Sequence, residues 1–146
     1  MTNDIRVTPR LIVSSSAEAI DFYTHALGAE ELSRYTTPEG VVVHAEIRVG
    51  ASTLMLTDAD PEHGNRDPKD LGGSSVLLSL RCDPDAVCAR AVERGAEVIF
   101  PVADRFYGDR DGRLRDPFGH VWIVSKTIEQ LSAEQIQKGV DEFPSS

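Results

Sequence analysis

The sequence is poor in cysteine, with only Cys82 and Cys88 among its 146 residues. Two cysteines cannot form a disulfide framework, and no matching set of Cys and His accompanies them for a structural zinc ion. We interpret both as reduced thiols that pack as small apolar side chains. The composition therefore excludes the disulfide-stapled and zinc-ribbon classes of small protein.

Basic residues and long apolar runs are also scarce. Fifteen Lys and Arg stand against 24 Asp and Glu, a formal net charge of -9, which disfavours nucleic acid and anionic membranes as partners. No stretch approaches the roughly 20 apolar residues that a membrane-spanning helix requires. The opening segment MTNDIRVTPR has no apolar signal region either. We therefore predict a cytoplasmic protein with no nucleic-acid or membrane partner.

The signals for secondary structure that are present occur twice in the same order. In the first half, a Leu/Ile/Val-rich strand is predicted at 8–14. A helix follows, with Ser15 and Glu18 in capping-box spacing at its start and Gly28 as its C-terminal glycine. Three extended segments then lie within 30–57, separated by Pro- and Gly-containing turns.

The second half repeats this order. A strand is predicted at 74–81, and Asp83 with Pro84 then marks the start of a helix that ends at Gly95. Three more extended segments follow within 96–125. The chain therefore reads as βαβββ written twice, and repeats of this length indicate repeated structural units.

This pattern predicts an α+β fold in which each copy packs its helix on one face of a curved, mixed four-stranded sheet. Because the other face of each sheet stays open, the two sheets are expected to enclose a cavity, within one structural domain overall. We divide the chain into a first βαβββ module, an acidic connector, a second βαβββ module and a C-terminal helical tail, at residues 1–60, 61–73, 74–127 and 128–146.

Four stretches in this order resemble the vicinal oxygen chelate superfamily of glyoxalase I, bleomycin-resistance proteins and extradiol dioxygenases. They are AIDFYTHALGAE (19–30), HAEIRVG (44–50), AVERGAEVIFP (91–101) and GDRDGRLRDPFGHVW (108–122). The resemblance covers nearly the whole chain and is greatest for the small bacterial glyoxalase/bleomycin-resistance-like branch. It implies the βαβββ-repeat fold, a homodimer and a cavity that binds a small molecule.

In metal-dependent members of that superfamily, four His, Glu or Gln ligands on the first and last strands of each repeat hold a divalent ion. The resemblance places Thr8, Met55, a serine or apolar residue within 75–80, and Ile123 at these positions. Threonine and isoleucine are poor ligands, and methionine suits soft copper(I). We therefore predict no metal and no other cofactor.

The segment 41–49 alternates cleanly between apolar and polar residues, so one face of the predicted strand is polar. His44 and Glu46 lie on that face, two residues apart. They are our candidates for an acid/base pair, or for two ligands of a displaced metal site. The alternative is a purely structural role, in a polar cavity wall or in an ion pair with Arg48 and a cross-strand partner.

The predicted cavity residues combine this polar face with the strands that flank it. Arg10 is suited to bind a carboxylate or phosphate of the ligand, although an ion pair with one of the many acidic side chains is the favoured alternative. The full predicted set is Thr8, Arg10, Ile12, His44, Glu46, Arg48, Met55, Leu77, Arg113 and Ile123.

The charged stretch before the last strand is interpreted as scaffolding. DRDGR (109–113) predicts a tight hairpin connection, and DPFG (116–119) predicts a β-turn. We expect its arginines and aspartates to form an ion-paired rim, with Arg113 at the cavity mouth. His120, embedded in this stretch, is expected to be structural. In the tail, Ser132 and the glutamine three residues later form a capping box that predicts a short helix.

Three functions remain compatible with the sequence. The favoured one is a protein that binds a small organic molecule between its sheets without a metal, as bleomycin-resistance proteins sequester a drug. The second is a lyase, isomerase or epimerase that uses His44 and Glu46. The third is an interaction module whose interior is filled by Met55, Leu77 and Ile123.

Overall fold

The computed structural model describes residues 4–143, which fall into two compact units. The first unit comprises the chain up to Ser75 together with Pro117–His120. The second comprises Val76–Asp116 and the residues from Val121 onward. Each unit contains one four-stranded sheet, so the predicted α+β class with two βαβββ copies is confirmed. Across residues 4–143, no helix is long and apolar enough to cross a membrane.

In the first unit, the strands and helices follow the predicted order. They are β1 (Arg10–Val13), α1 (Ser16–Leu27), β2 (Glu30–Thr36), β3 (Val42–Val49) and β4 (Ser52–Asp58). The sheet order is β1-β4-β3-β2, with β1 parallel to β4 and the other neighbours antiparallel. The predicted acidic connector contains two short elements, a 3₁₀ turn (Pro61–His63) and α2 (Pro68–Leu71).

Helix α1 begins and ends where its capping residues predict. The Ser15 hydroxyl accepts a hydrogen bond from the backbone N–H of Glu18 at 3.2 Å, which satisfies one of the unpaired donors of the first turn. Gly28 ends the helix with φ of 69°, a left-handed conformation that glycine adopts without steric cost.

The core of the first unit lies between α1 and the sheet. Tyr23 of α1, Ile47 of β3 and Leu56 of β4 are completely buried there. The turn Pro117–His120 belongs to the same unit, where Phe118 packs against the aromatic rings of α1. His120 is buried, and its Nε2 lies 2.9 Å from the carbonyl oxygen of a β1 residue. This is the structural placement expected for that histidine.

In the second unit, the elements are β5 (Leu77–Arg81), α3 (Pro84–Glu93), β6 (Glu97–Asp104), β7 (Asp109–Arg115), β8 (Val121–Thr127) and α4 (Ala133–Glu142). The sheet order β5-β8-β7-β6 repeats that of the first unit, again with the outer pair β5 and β8 parallel. The predicted capping box of α4 is confirmed, because Ser132 and Gln135 exchange side-chain to backbone hydrogen bonds.

The core of the second unit lies between α3 and the face of the sheet that packs against this helix. Leu114, Trp122 and Val124 are buried beside Val87 of the helix. Helix α3 buries Val87 and Ala91, whereas Val92 of the same helix is 45% exposed.

The predicted hairpin at 109–113 is wrong, because these residues lie inside strand β7. The chain reverses at Arg105–Gly108 instead. Gly108 has φ of 92°, and a Cβ atom there would lie 2.4 Å from the carbonyl oxygen of Glu129, so only glycine fits. Gly112, which suggested the turn, is an extended residue of the strand.

The predicted ion-paired rim exists, but its partners differ from those expected. Arg110 pairs with Asp85 of α3 and Asp104 of β6, and Arg115 pairs with Glu97 of β6. The arginines of β7 therefore bond to acids on neighbouring elements rather than to the aspartates of their own segment. These cross-strand pairs explain why a charge-rich segment forms a strand.

The predicted capping role of Asp83 is only partly supported. The residue stands at the N-cap position of α3, with Pro84 in the first turn, but its side chain makes no capping hydrogen bond.

Both cysteines are free thiols, as predicted. Burial raises the pKa of the Cys82 thiol and of the Cys88 thiol, which keeps both protonated and unreactive at neutral pH.

Candidate ligand-binding site

The polar face predicted on β3 is present in the structure. Ala45 and Ile47 point to the core and are completely buried, whereas His44 and Glu46 lie on the opposite, open face of the first sheet and are half-buried. This alternation follows from the period of two in a strand.

On this face, His44 links two charged side chains. Its Nε2 lies 3.1 Å from Oε1 of Glu46, and its Nδ1 lies 3.2 Å from Nη2 of Arg10. Because a guanidinium can only donate, the network assigns Nδ1 as an acceptor and places the ring proton on Nε2, from which it is donated to Glu46. Both ring nitrogens of His44 are therefore engaged within the protein.

Two predicted pairings on this face are corrected by the structure. Within residues 4–143, Arg10 makes no ion pair with a carboxylate, and its Nη2, besides contacting His44, donates to the carbonyl oxygen of Val43 at 3.0 Å. Arg48 does not bond to Glu46 but to Glu30 of β2, at 3.1 Å. The cross-strand register explains the second outcome, since Glu30 lies directly opposite Arg48.

Two further predicted residues of the first unit, Met55 and Ile12, lie beside this network. Met55 stands in register between Arg10 and Glu46. A shallow cavity of about 300 Å³ is lined by Arg10 and Ile12. Tyr35 of β2, which sequence reasoning missed, is stacked on the His44 ring with 6.0 Å between ring centroids.

The residues at the expected metal-ligand positions do not fit a divalent ion. In the first unit they offer the hydroxyl of Thr8 and the thioether of Met55. In the second they offer Ile123 with its register partner Ser79. None of these side chains is a strong ligand for a hard or borderline cation. Among residues 4–143, no group of three or more His, Cys, Asp or Glu side chains is placed to hold a metal ion.

The second unit contains a larger cavity, of about 540 Å³. We call it the aromatic pocket. It lies on the open face of the second sheet, opposite the face that packs against α3. Of the predicted cavity residues, Arg113 and Ile123 line it, whereas Leu77 is on the same face of β5 but outside the lining. Its lining residues are Phe100, Asp104, Arg105, Phe106, Tyr107, Asp111, Gly112, Arg113, Ile123 and Phe143.

Aromatic side chains form much of the wall. The Phe106 ring lies 5.2 Å from the Tyr107 ring in an edge-to-face arrangement and 5.3 Å from the Phe143 ring. Gly139 of α4 allows this approach, because a Cβ atom there would lie 2.4 Å from Cδ2 of Phe106. The C-terminal helix thereby brings Phe143 to the edge of the pocket.

The acidic groups of the pocket are already paired. Asp111 accepts hydrogen bonds from Nε of Arg105 at 2.8 Å and from the Tyr107 hydroxyl. Burial, with the Asp111 hydrogen bond, raises the pKa of Tyr107 to about 12, so the phenol remains a proton donor at neutral pH. Asp104 accepts from Arg110 at 2.9 Å.

Arg113 differs from the other charged residues of the lining. Its Cζ atom lies 5.1 Å from the centroid of the Phe100 ring, a cation–π contact. Within the described part of the chain, it makes no ion pair with any carboxylate. The pocket therefore combines aromatic walls with one guanidinium whose charge is not matched.

All four aromatic residues of this pocket were missed by sequence reasoning, namely Phe100, Phe106, Tyr107 and Phe143. The first three lie within eight positions of one another, and this local clustering of aromatics was the available signal. Alternation along β6 does not reveal it, because two irregularities interrupt the pairing of β6 with β7.

Comparison with known proteins places this fold in a family. The model of the Glyoxalase/Bleomycin resistance protein/Dioxygenase superfamily matches residues 6–124. The uncharacterized protein Mb0911c of Mycobacterium bovis is 38% identical over 135 residues, which cover 90% of this chain and 89% of that protein.

Solved structures share the architecture. The gene product At5g48480 of Arabidopsis thaliana superimposes with a TM-score of 0.68 at 26% identity, over 84% of this chain and 98% of that one. The fosfomycin resistance protein FosX of Listeria monocytogenes, solved with Mn(II) and sulfate, gives a TM-score of 0.66 at 14% identity, over 94% and 98% of the two chains. At that identity, the likeness to FosX concerns the fold alone.

Proposed function

Because this chain belongs to the Glyoxalase/Bleomycin resistance protein/Dioxygenase superfamily, we propose that it binds a small organic molecule in the aromatic pocket of its second unit. The observation that carries the proposal is the cavity of about 540 Å³ with aromatic walls. Small-molecule sites typically measure roughly 300–1,000 Å³ and combine apolar walls with a few polar groups.

The proposed role is binding without turnover, as in the sequestration of a drug. Catalysis by general acid or base requires a group that is free to exchange a proton with the ligand. In the pocket, the Asp111 carboxylate is held by Arg105 and Tyr107, and the Tyr107 phenol is held by Asp111. Flat aromatic faces remain available, and these suit an apolar or aromatic ligand.

Titration with N-phenyl-1-naphthylamine, a neutral dye that fluoresces in apolar surroundings, tests this proposal. We expect saturable binding to the wild-type protein, and weaker binding to Phe143→Ala, which removes an exposed part of the wall. Tyr35→Ala is the matched control, because Tyr35 is an equally exposed aromatic in the first unit. No binding to the wild type, or equal losses in both variants, would contradict the proposal.

A second candidate function is proton-transfer catalysis by His44 and Glu46, in a lyase, isomerase or epimerase. The observation that favours it is their 3.1 Å pair on an open, half-buried face. For His44 to act as a base, Arg10 must first leave Nδ1, since that lone pair is otherwise occupied. This requirement ranks catalysis below binding.

Metal content tests the form of this second candidate in which His44 and Glu46 bind a metal ion. The protein would be purified without an affinity tag, incubated with Ni²⁺, Zn²⁺, Mn²⁺ or Fe²⁺, desalted and measured by plasma emission spectroscopy. Near-stoichiometric metal that disappears in His44→Ala would favour a metalloenzyme with a relocated site. If the desalted protein retains no metal ion, the result would favour the binding function.

We propose further that the chain is a homodimer and works in the cytoplasm. The family resemblance supports the first statement. The free thiols of Cys82 and Cys88 support the second, because a reducing compartment keeps thiols unpaired. Sedimentation equilibrium tests the dimer, with twice the chain mass of 16.0 kDa as the expected result.

A further inference from the structure

We propose that the ligand of the aromatic pocket carries a carboxylate, and that Arg113 binds it. This inference rests on the proposed function, because it assumes that the pocket is the ligand site. It names the chemical class of the ligand, an aromatic or aliphatic body with one anionic group.

The pairing of the charges in the pocket leads to this class. The lining contains two acids, Asp104 and Asp111, and two bases, Arg105 and Arg113. Asp111 pairs with Arg105, and Asp104 pairs with Arg110, which lies outside the lining and also pairs with Asp85 of α3. Of the charged side chains of the lining, Arg113 alone makes no ion pair within residues 4–143, so it is the group available to an anionic ligand although the whole chain carries a net charge of -9.

The sheet register explains why Arg113 has no ion-pair partner. Strand β7 carries three arginines, and two of them reach an acid on β6, as Arg110 reaches Asp104 and Arg115 reaches Glu97. Opposite Arg113, by contrast, stand Phe100 on β6 and Ile123 on β8. Neither of these side chains can accept a conventional hydrogen bond, so the guanidinium has no carboxylate directly opposite on either strand.

The contact with Phe100 also positions the guanidinium. Its Cζ atom lies over the Phe100 ring, and its N–H groups make no side-chain hydrogen bond within residues 4–143, so they are available to a ligand. A planar carboxylate accepts two parallel hydrogen bonds from the edge of a guanidinium. Arg113 is half-buried, and partial exclusion of water strengthens these bonds. The attached body of the ligand then lies against the aromatic walls that Phe106 and Phe143 contribute to the same pocket.

Two nearly isosteric competitors test the charge requirement. 2-Naphthoate and its neutral amide, 2-naphthamide, would displace N-phenyl-1-naphthylamine from the protein. For the wild type, we expect the acid to compete at about tenfold lower concentration than the amide, because a charge-assisted hydrogen bond contributes at least that factor. In Arg113→Met, which preserves much of the side-chain volume, the preference for the acid should disappear.

Two further variants complete the test. Arg115→Met is the matched control, since Arg115 is the neighbouring arginine on the same strand face and is paired with Glu97 outside the lining. It should keep the tenfold preference. Arg113→Lys retains the charge but not the planar fork, so its preference should be intermediate.

The outcomes separate this inference from the function on which it rests. If the dye does not bind the wild type, the pocket is not a ligand site and both proposals fail. If the dye binds but the acid and the amide compete equally, the binding function stands and the carboxylate inference is overturned. A full preference that persists in Arg113→Met overturns it as well.

Discussion

The two units of the chain share one topology but carry different chemistry on their open faces. In the first sheet, Arg10, His44 and Glu46 form a chain of hydrogen bonds that engages both ring nitrogens of His44. In the second, Arg113 lies beside Phe100 and Ile123 and makes no ion pair with any carboxylate of residues 4–143. The same βαβββ backbone therefore gives a closed polar network in one unit and an unmatched charge in an aromatic pocket in the other.

This difference arises from the residues that the register places opposite each other. A polar side chain in the first sheet meets another polar group, as Tyr35 stands opposite His44. In the second, Phe100 stands opposite Arg113. Cross-strand neighbours are the unit of interaction in a sheet, so the residue opposite a charged side chain decides whether that side chain has a partner for an ion pair or hydrogen bond.

The largest expected effect is in the core, at equivalent central positions of the two sheets. Leu56 of β4 and Val124 of β8 are both completely buried. Leu56→Ala should lower the free energy of unfolding by about 3 kcal/mol, and Val124→Ala by less, since fewer buried carbons are removed. Urea unfolding measures both. Val43→Ala, at a site that is 47% exposed, is the control and should change little. A larger loss for Val124→Ala would contradict this order.

A second effect concerns the strand residues that face these positions, Ala45 opposite Leu56 and Gly112 opposite Val124. A Cβ atom on Gly112 would lie 2.8 Å from Cγ2 of Val102. Gly112→Ala should therefore destabilise the protein by about 2 kcal/mol through overpacking. In β3 the reverse substitution, Ala45→Gly, should cost about 1 kcal/mol through chain entropy. Thermal and urea unfolding would test both, and a stabilised Gly112→Ala protein would refute the crowding argument.

A third effect depends on pH and belongs to the second unit. Because the pKa of Tyr107 is raised to about 12 in the folded protein, the unfolded chain loses this proton first, near pH 10. The stabilising contribution is present below pH 10 and is lost as the pH rises toward 12. At pH 8, the free energy of unfolding of the wild type should exceed that of Tyr107→Phe by about 1 kcal/mol, because the variant lacks the hydrogen bond to Asp111.

Urea unfolding of both proteins from pH 8 to pH 11.5 measures this dependence. The difference between them should stay constant up to pH 10 and then shrink. A difference that is independent of pH across this range would show that the phenol has its ordinary pKa.

The smallest expected effect is in the polar network of the first unit. Glu46→Gln weakens the bond to His44, but both side chains are partly exposed, with side-chain exposures of 34% and 25%. Partly exposed pairs contribute little, so the free energy of unfolding should fall by about 0.5 kcal/mol. Chemical denaturation at pH 7 measures this change in the free energy of unfolding. A loss above about 2 kcal/mol would indicate a tightly coupled network instead.

Much of the fold was predictable from local signals. Ser15, Gly28 and the capping box at Ser132 mark helix ends through contacts made within a few residues. The alternation around His44 and Glu46 predicted the open face of β3 for the same local reason. The error at 109–113 is also local in origin, because Gly112 suggests a turn in sequence while β6 and β8 hold it in a strand on both sides.

The sequence by itself thus determined the order of helices and strands, the two repeats and the polar face of β3, because caps and periodicity depend on neighbours along the chain. Only the tertiary structure decided which groups remain unpaired. Arg113 has no nearby feature in sequence that distinguishes it from Arg110 or Arg115. Its environment comes from Phe100 and Phe143, which β-sheet register and the return of α4 place around the same pocket. Such contacts depend on long-range packing, and local sequence patterns do not record them.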